Sequence, residues 1–191
     1  MSSYCYFATN DPLHGPYHDR EYGFPLSTDN EFFERLVLEI NQAGLSWATI
    51  LKKRADFVRA YDQFDVDKVA AYGETERKRL LSDATIVRNK LKIDAAIHNA
   101  KQFQEIRKSH GSFKLWLDES HPLSKDKWVK VFKKQFEFVG GEIINELLMS
   151  TGYLPGAHRE SCATYAVIAR LNPPWMRTRL VVSPASQVAA V

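Results

Sequence analysis

The chain has 191 residues, of which 45% are hydrophobic, and this is enough to bury the core of one globular domain. A net charge of +3 is too small to indicate a nucleic-acid partner unless the cations cluster. There is no basic start followed by an apolar run and no apolar stretch long enough to span a bilayer, so we expect a cytoplasmic protein without a membrane segment. Two cysteines far apart in sequence exclude a disulfide framework.

The first segment, Ser2 to Pro25, is rich in aromatic residues but has little helical periodicity. Turn signals interrupt it repeatedly, so we expect irregular backbone that needs an anchor. Candidates for the anchor are Cys5 and His18, together with His158 and Cys162 near the other end. Such a Cys2His2 set matches tetrahedral zinc coordination, although the first gap is longer than in a zinc-finger knuckle. Spacing alone therefore leaves two interpretations open, a zinc site or two free cysteines with two ordinary histidines.

A helix is predicted next. Thr28 and Glu31 have capping-box spacing, which places the helix start near Asp29. The apolar residues that follow share one stripe, and Glu39 lies on that stripe. A carboxylate on an apolar face must find a partner or stay protonated, because desolvating its charge is costly. The alternative is a surface glutamate at a frayed helix end.

The stretch after this helix combines a turn, an aromatic ring and cations. Gly44 predicts the end of the helix, Ser46 is a natural cap, and Trp47 begins the next helix. Three cations close the stretch at residues 52–54. An acid in an apolar setting, a large flat ring and a basic strip suit a pocket for a flat, positively charged heterocycle beside an anionic polymer.

Two further helices are predicted on either side of a basic connection, which contains Arg88, Asn89, Lys90 and Lys92. Helices joined in this way resemble a helix-hairpin-helix, which binds DNA phosphates through backbone N–H groups and nearby cations. The turn contains no glycine, however, so an ordinary helix pair with a solvated basic rim is the alternative.

Toward the C-terminus, a strongly apolar helix is predicted at Ile143–Met149 and ends at Gly152. From residue 173 onward we find no helical period, so we expect one all-α domain over residues 1–172 and a flexible tail over 173–191.

Several motifs together resemble one enzyme family. The stretch Leu-Glu-x-x-Gln-Ala-Gly-Leu-Ser-Trp-x-x-Ile-Leu-Lys-Lys-Arg, residues 38–54, carries the signature of the DNA-3-methyladenine glycosylase I family. The resemblance extends from Tyr4 to about Cys162 with the motifs in order, and includes Phe136-x-Phe138-Val139-Gly140. These are bacterial base-excision repair enzymes of the helix-hairpin-helix superfamily. The resemblance therefore implies a helical bundle of the helix-hairpin-helix glycosylase type.

The resemblance implies a pocket for a base that has been flipped out of the duplex. Glu39 is expected to be its essential acid, and Trp47 to stack on the cationic base. Tyr17, Phe7 and Tyr22 are expected to complete the base-binding set. Phe7 and Tyr22 stand where tryptophan often occurs in the family, which keeps an aromatic wall but changes its size.

The DNA contacts are expected at two places. The turn that holds Gln42, Gly44 and Leu45 is expected to fill the space left by the flipped base, with Leu45 as an apolar wedge. The basic connection at residues 88–92 is expected to contact the phosphates. The resemblance also implies that Cys5, His18, His158 and Cys162 hold a structural Zn²⁺ that clasps the two ends of the domain. Four protein ligands leave no open position for activating water, so we expect no zinc catalysis.

The expected function is hydrolysis of the N-glycosidic bond of 3-methyladenine in alkylated double-stranded DNA, with free 3-methyladenine as product. We expect a monomer and no lyase step, since no lysine stands out as a nucleophile. The alternatives are a non-catalytic, zinc-stabilised lesion- or DNA-binding module of the same fold and, more remotely, an enzyme that acts on free purines.

Overall fold

The computed structural model describes residues 4–177, and this part of the chain contains helices and no strand. Its eleven α-helices, in chain order, are α1 (Tyr4–Ala8), α2 (His14–Arg20), α3 (Asp29–Gln42), α4 (Trp47–Ala60), α5 (Val66–Ala70), α6 (Glu74–Ser82), α7 (Lys90–His110), α8 (Phe113–Ser120), α9 (Lys125–Lys133), α10 (Gly141–Ser150) and α11 (Ala163–Arg170). The prediction of an all-α fold is confirmed. Among these helices, none combines the length and apolar character that a bilayer span requires.

Helix α3 is central and packs against α4, α7 and α10. Its start is the predicted capping box: the Thr28 side chain accepts from the Glu31 N–H, and the Glu31 carboxylate accepts from the Thr28 N–H at 2.8 Å. Five of its apolar side chains are completely buried in the core: Phe32, Phe33, Leu36, Val37 and Ile40. Because so many apolar side chains of α3 are buried, neighbouring helices hold α3 on several sides. Glu39 lies on the same helix and is therefore carried into the interior.

The core beneath α7, α8 and α9 is largely aromatic. The rings of Phe103 and Phe113 stack with centroids 4.1 Å apart, and Phe136 meets both of them edge to face. Aromatic pairs of this geometry add to the free energy gained by burial. This cluster fixes the segment between α9 and α10 against α7.

The N-terminal segment is more regular than the sequence predicts. It contains α1 and α2, and these two helices pack against each other. The segment then reaches the C-terminal half, where the Gly23 N–H donates to the Ser150 carbonyl at 2.8 Å. Gly23 has φ +85°, and a Cβ there would lie 2.9 Å from the Ala157 Cβ, so the close approach of the two segments needs glycine. Helices as short as α1 and α2 have too few apolar residues to show a helical period, so the sequence pattern does not predict them.

The start of the predicted tail is packed on the domain. Pro173 and Pro174 are buried, the Trp175 N–H donates to the Gly152 carbonyl at 3.1 Å, and the Trp175 ring lies 6.1 Å from that of Tyr165. The structured part therefore continues past residue 172. Positions 178–191 lie outside the described residues, and the tail there remains a prediction.

Candidate functional site

A cavity of about 230 Å³ lies between α1, α2, α3, α4 and α10. It brings together most of the predicted pocket residues, which come from four separate parts of the chain. The residues that line it are Tyr4, Tyr17, Tyr22, Glu39, Gln42, Trp47 and Glu146. The space suits one flat ring system with a few polar contacts.

Aromatic rings form the walls of the cavity. The Tyr17 ring lies 5.0 Å from Trp47 and 5.7 Å from Tyr22, and Tyr4 meets Tyr22 edge to face at 5.2 Å. The Trp47 indole N–H is buried and has no hydrogen-bond partner among the described residues. Aromatic walls with an unpaired donor are suited to hold a flat, polar heterocycle.

The buried guanidinium of Arg35 fixes the hydroxyl group of Tyr17. Arg35 Nη1 donates to the Tyr17 hydroxyl at 2.8 Å, and Arg35 is itself paired with Glu21 at 3.3 Å. Glu21 also binds Arg54 at 2.7 Å, which ties α2 to α4. Burial raises the pKa of Tyr17, so the phenol stays neutral. Because its oxygen accepts from Arg35, the phenolic hydrogen can be donated to a ligand.

Glu39 is only 4% exposed, which excludes the frayed-end alternative. Burial raises its pKa to about 8; Arg35 opposes this shift, and the charge of Glu146 adds to it. Within residues 4–177 no group donates a hydrogen bond to this carboxyl group. The carboxyl group therefore holds a proton near neutral pH and lacks a hydrogen-bond donor until a ligand arrives.

Two lining residues, Tyr4 and Glu146, were missed by the sequence argument. The Tyr4 hydroxyl is 3.0 Å from His14 Nδ1, and the Tyr22 hydroxyl donates to Glu146 Oε2 at 3.1 Å. A signal for Glu146 was present, because it is a carboxylate within the strongly apolar helix α10, the same pattern that identified Glu39. No comparable signal marks Tyr4.

Phe7, predicted to belong to the base-binding set, does not line this cavity. Its ring is 57% exposed and meets His14 edge to face at 4.9 Å. Helix α1 packs through Cys5 and Ala8, which turns Phe7 outward. Tyr4, from the preceding turn of the same helix, supplies the wall instead.

The turn between α3 and α4 projects next to the cavity, as predicted. Ser46 caps α4 by accepting from the Thr49 N–H at 3.2 Å. Gly44 has φ +82° with nothing within 4 Å of a Cβ position, and Leu45 is exposed. Gln42 lines the cavity itself. The tip of this turn therefore faces open space at the mouth of the cavity.

Lys92 contradicts its predicted phosphate contact. It is 5% exposed, and its Nζ donates to the carbonyls of Ala43 at 2.6 Å and Asn41 at 3.0 Å. The last carbonyls of α3 have no partner within the helix, and a cation there is favourable. Lys92 thus holds the start of the projecting turn rather than facing solvent.

The other residues of the predicted hairpin are largely used within the protein. The Asn89 side chain caps α7 by accepting from the Lys92 N–H at 3.2 Å, and Lys90 pairs with Asp94 at 2.7 Å. Arg88 is exposed on the turn. Arg88 and Lys90 are therefore the solvent-facing charges of these four residues, and of the two Lys90 is paired with Asp94.

A second turn, between α9 and α10, lies beside Lys92. Its Phe138 is 38% exposed in a left-handed conformation, φ +56°, with the Lys92 Nζ 5.7 Å from the ring centroid. The Asn99 side chain binds the backbone of Glu137: its Oδ1 accepts from the Glu137 N–H at 2.8 Å, and its Nδ2 donates to the Glu137 carbonyl at 3.1 Å. Helix α10 then starts at Gly140–Gly141 without a side-chain cap, which leaves backbone amides at its start open.

The four predicted metal ligands form one cluster. The ligand atoms of Cys5, His18, His158 and Cys162 all lie within 4.8 Å of one another. His158 Nδ1 is 3.7 Å from both sulfurs, and His18 Nε2 is 3.7 Å from Cys162 Sγ. On the other side of each ring, His18 Nδ1 lies 2.6 Å from the Asp19 carboxylate and His158 Nε2 lies 2.6 Å from the Tyr22 carbonyl. Such outer partners fix which nitrogen of each imidazole faces a metal.

The chain was compared with known proteins. The model of the methyladenine glycosylase family matches residues 7–127. DNA-3-methyladenine glycosylase 1 of Escherichia coli (strain K12) is 36% identical over 180 residues, which cover 84% of this chain and 96% of that protein. The chain belongs to the methyladenine glycosylase family.

Solved structures agree with this membership. 3-Methyladenine DNA glycosylase I from Staphylococcus aureus is 30% identical with a TM-score of 0.75, over 84% of this chain and 95% of that one. A 3-methyladenine DNA glycosylase I solved in complex with 3-methyladenine is 29% identical with a TM-score of 0.76, over 84% and 96%. The region matched to the methyladenine glycosylase family contains Tyr17, Tyr22, Glu39 and Trp47, whereas Glu146 lies beyond it.

Proposed function

We infer that this chain is a DNA glycosylase of base-excision repair that hydrolyses the N-glycosidic bond of 3-methyladenine in alkylated DNA. The observation that carries this is the cavity in which Glu39, Tyr17 and Trp47 converge, in a chain of this family. Its aromatic walls and buried acid suit a flat base that carries positive charge.

We propose that recognition of the base lowers the barrier to its departure. The methylated adenine is a cation in DNA, and the Trp47 ring attracts it through its face. Tyr17 donates to the polar edge of the base, while Glu39 is the catalytic acid, whose protonated carboxyl group hydrogen-bonds the base and stabilises the electron density that the base gains as the bond breaks. The C1′–N9 bond breaks with its electron pair going to the base, which leaves neutral, and water supplies hydroxyl to C1′ and releases a proton.

The enzyme is proposed to be monofunctional. Among the described residues that line the cavity there is no lysine, and Lys92 is bound to the carbonyls of Asn41 and Ala43. Without an amine beside the sugar no Schiff base forms, and the strand is not cleaved.

We propose that the turn at residues 42–46 enters the duplex when the base is flipped. In this proposal Leu45 is the apolar wedge, and Gly44 supplies the tight bend before it. Gln42 lies at the mouth of the cavity. The uncapped start of α10 lies on the other side of Lys92, and we assign the phosphate-binding hairpin to α9, α10 and the turn between them. Arg88, on the neighbouring turn, supplies a peripheral charge.

We propose that Cys5, His18, His158 and Cys162 hold one Zn²⁺ as a structural clasp. The donor set and the mutual distances fit a tetrahedral ion, and the two imidazoles are oriented by outer hydrogen bonds. The ion would join α1 and α2 to the segment before α11, outside the cavity. Metal analysis of protein purified without chelator should give one zinc per chain; its absence would refute the clasp. We further propose a monomer that acts on DNA in the bacterial cytoplasm, with its helical domain reaching at least to residue 176.

The test is release of free 3-methyladenine from methylated duplex DNA by the wild type and by Glu39→Gln. We expect release by the wild type and a loss of about 100-fold or more in the variant. Glu105→Gln, which changes an exposed carboxylate on α7, is the matched control and should be unaffected. No release by a folded, zinc-loaded wild type would favour the alternative of a non-catalytic DNA-binding module.

A further inference from the structure

Glu146 places a second carboxylate in the cavity. It lies in the middle of α10, and it lines both the cavity and an adjoining groove of about 350 Å³. Glu39 and Gln42 line the same two spaces. The two acids therefore face the same two adjoining spaces, Glu39 from α3 and Glu146 from α10.

Arg35 and Lys125 oppose the raised pKa values of Glu39 and Glu146 through their charge, but neither cation is paired with these acids. Arg35, the cation nearest to Glu39 in sequence, is used by Tyr17 and Glu21. Lys125, the nearest cation on α9, pairs with Glu142 at 3.0 Å. Within residues 4–177, no lysine or arginine forms an ion pair with either pocket acid. Two carboxyl groups that line the same cavity disfavour each other's ionisation, so the pair favours a single negative charge.

That remaining charge resides mainly on Glu146. Burial raises the pKa of Glu146, but the hydrogen bonds from Tyr22 and Asn145 oppose this shift. Glu39, which has no such donors, is the more strongly shifted acid, with its pKa raised to about 8. The Tyr22 hydroxyl, by donating to Oε2 at 3.1 Å, holds the ionised carboxylate toward the cavity.

We propose that Glu146 is a specificity-determining residue of the base pocket, whose carboxylate selects a positively charged purine over a neutral purine of the same shape. This rests on the proposed function. A buried negative charge without a protein cation gains most from a ligand that supplies one. Glu39 contacts the base and serves catalysis, whereas Glu146 determines which charge the pocket accepts.

The test compares two bases of the same shape in duplex DNA. The first is a 3-methyladenine nucleotide made resistant to hydrolysis by a 2′-fluorine on its sugar, and it is cationic. The second is 3-deaza-3-methyladenine, which is neutral. For Glu146→Gln we expect binding to the cationic duplex to weaken about tenfold while binding to the neutral duplex is unchanged. Equal losses on both duplexes, or no change on either, would overturn the proposal.

Three further variants separate charge from structure. Glu105→Gln removes an exposed charge on α7, away from the cavity and the groove, and should leave the ratio of the two affinities unchanged. Glu146→Asp keeps the charge and should retain the preference. Tyr22→Phe removes the hydrogen bond but keeps the charge, so the preference should also remain. If Tyr22→Phe instead abolishes the preference while Glu146→Gln keeps it, the selectivity belongs to the phenol and the proposal is wrong.

The proposed function is tested separately, by the wild type alone. If the wild type does not release 3-methyladenine from methylated DNA, the proposed function fails. If it does and Glu146→Gln binds both duplexes with the wild-type ratio of affinities, the role of Glu146 fails while the function stands.

Discussion

The turn before α7 and the turn before α10 lie on either side of Lys92. They differ in how the helix that follows each of them is capped. The turn between α6 and α7 carries Arg88 and is followed by Lys90 and Lys92 in α7, but its Asn89 caps that helix. The turn between α9 and α10 carries two glycines and no side-chain cap. Its backbone amides are therefore available to a phosphate, whereas the first amides of α7 are partly satisfied from within. We therefore propose that phosphate binds at the start of α10 rather than at the start of α7.

Lys92 connects the two turns, and its loss should have the largest effect. Lys92→Met keeps the length of the side chain but leaves the carbonyls of Asn41 and Ala43 without their donor. We expect excision from duplex DNA to fall on the order of 10- to 100-fold, because the turn that enters the duplex loses its support. Affinity for free 3-methyladenine should be unchanged, which single-turnover kinetics and calorimetry together would establish.

The salt dependence of DNA binding distinguishes positioning from a phosphate contact. A lost phosphate contact lowers the slope of log K against log salt by about 1, whereas lost positioning leaves that slope unchanged. Lys90→Met is the matched control, since it removes an exposed charge two residues away that pairs with Asp94. A reduced slope for Lys92→Met would restore the phosphate contact that the sequence predicts.

Gly141→Pro tests the other turn. Gly141 is the first residue of α10, where proline fits a helix but removes the N–H, and the space around its Cβ position is open. Gly140 is already extended, at φ −104° and ψ 173°, as a residue before proline requires. We expect duplex affinity to fall about tenfold with no loss of thermal stability. Gly141→Ala keeps the N–H and should bind normally; equal affinities of the two variants would remove this turn from the phosphate site.

The two turns also mark how far the sequence predicts this molecule. The capping box of α3 and the burial of Glu39 follow from local spacing, and both are confirmed. The acceptors of Lys92 lie 51 and 49 residues away, and Glu146 meets a phenol 124 residues away. The spacing of apolar residues along one helix does not indicate which distant residue a side chain will contact. The family resemblance supplied Tyr17 and Trp47, but it also suggested Phe7, which α1 turns outward.

Asn89→Ala should change stability but not DNA binding. Loss of the cap leaves the Lys92 N–H without its acceptor and should lower the free energy of unfolding by about 1 kcal/mol. Duplex affinity should stay within twofold, because we propose that the phosphates bind at the start of α10 and not at this end of α7. Urea unfolding and fluorescence anisotropy measure the two quantities. Weaker DNA binding at unchanged stability would mean that the amide side chain contacts DNA.

Arg88→Ala should have the smallest effect. Its guanidinium is exposed on the α6–α7 turn, where it supplies long-range attraction rather than a fixed contact. We expect affinity at moderate salt to fall about twofold, with a salt slope reduced by clearly less than one phosphate contact. The measurement is a salt titration of duplex binding alongside Gly141→Pro. If Arg88→Ala costs as much as Gly141→Pro and lowers the slope by a full contact, both turns bind phosphate. The backbone amides of α10 and a side-chain cation of the α6–α7 turn would then divide the DNA contact between them.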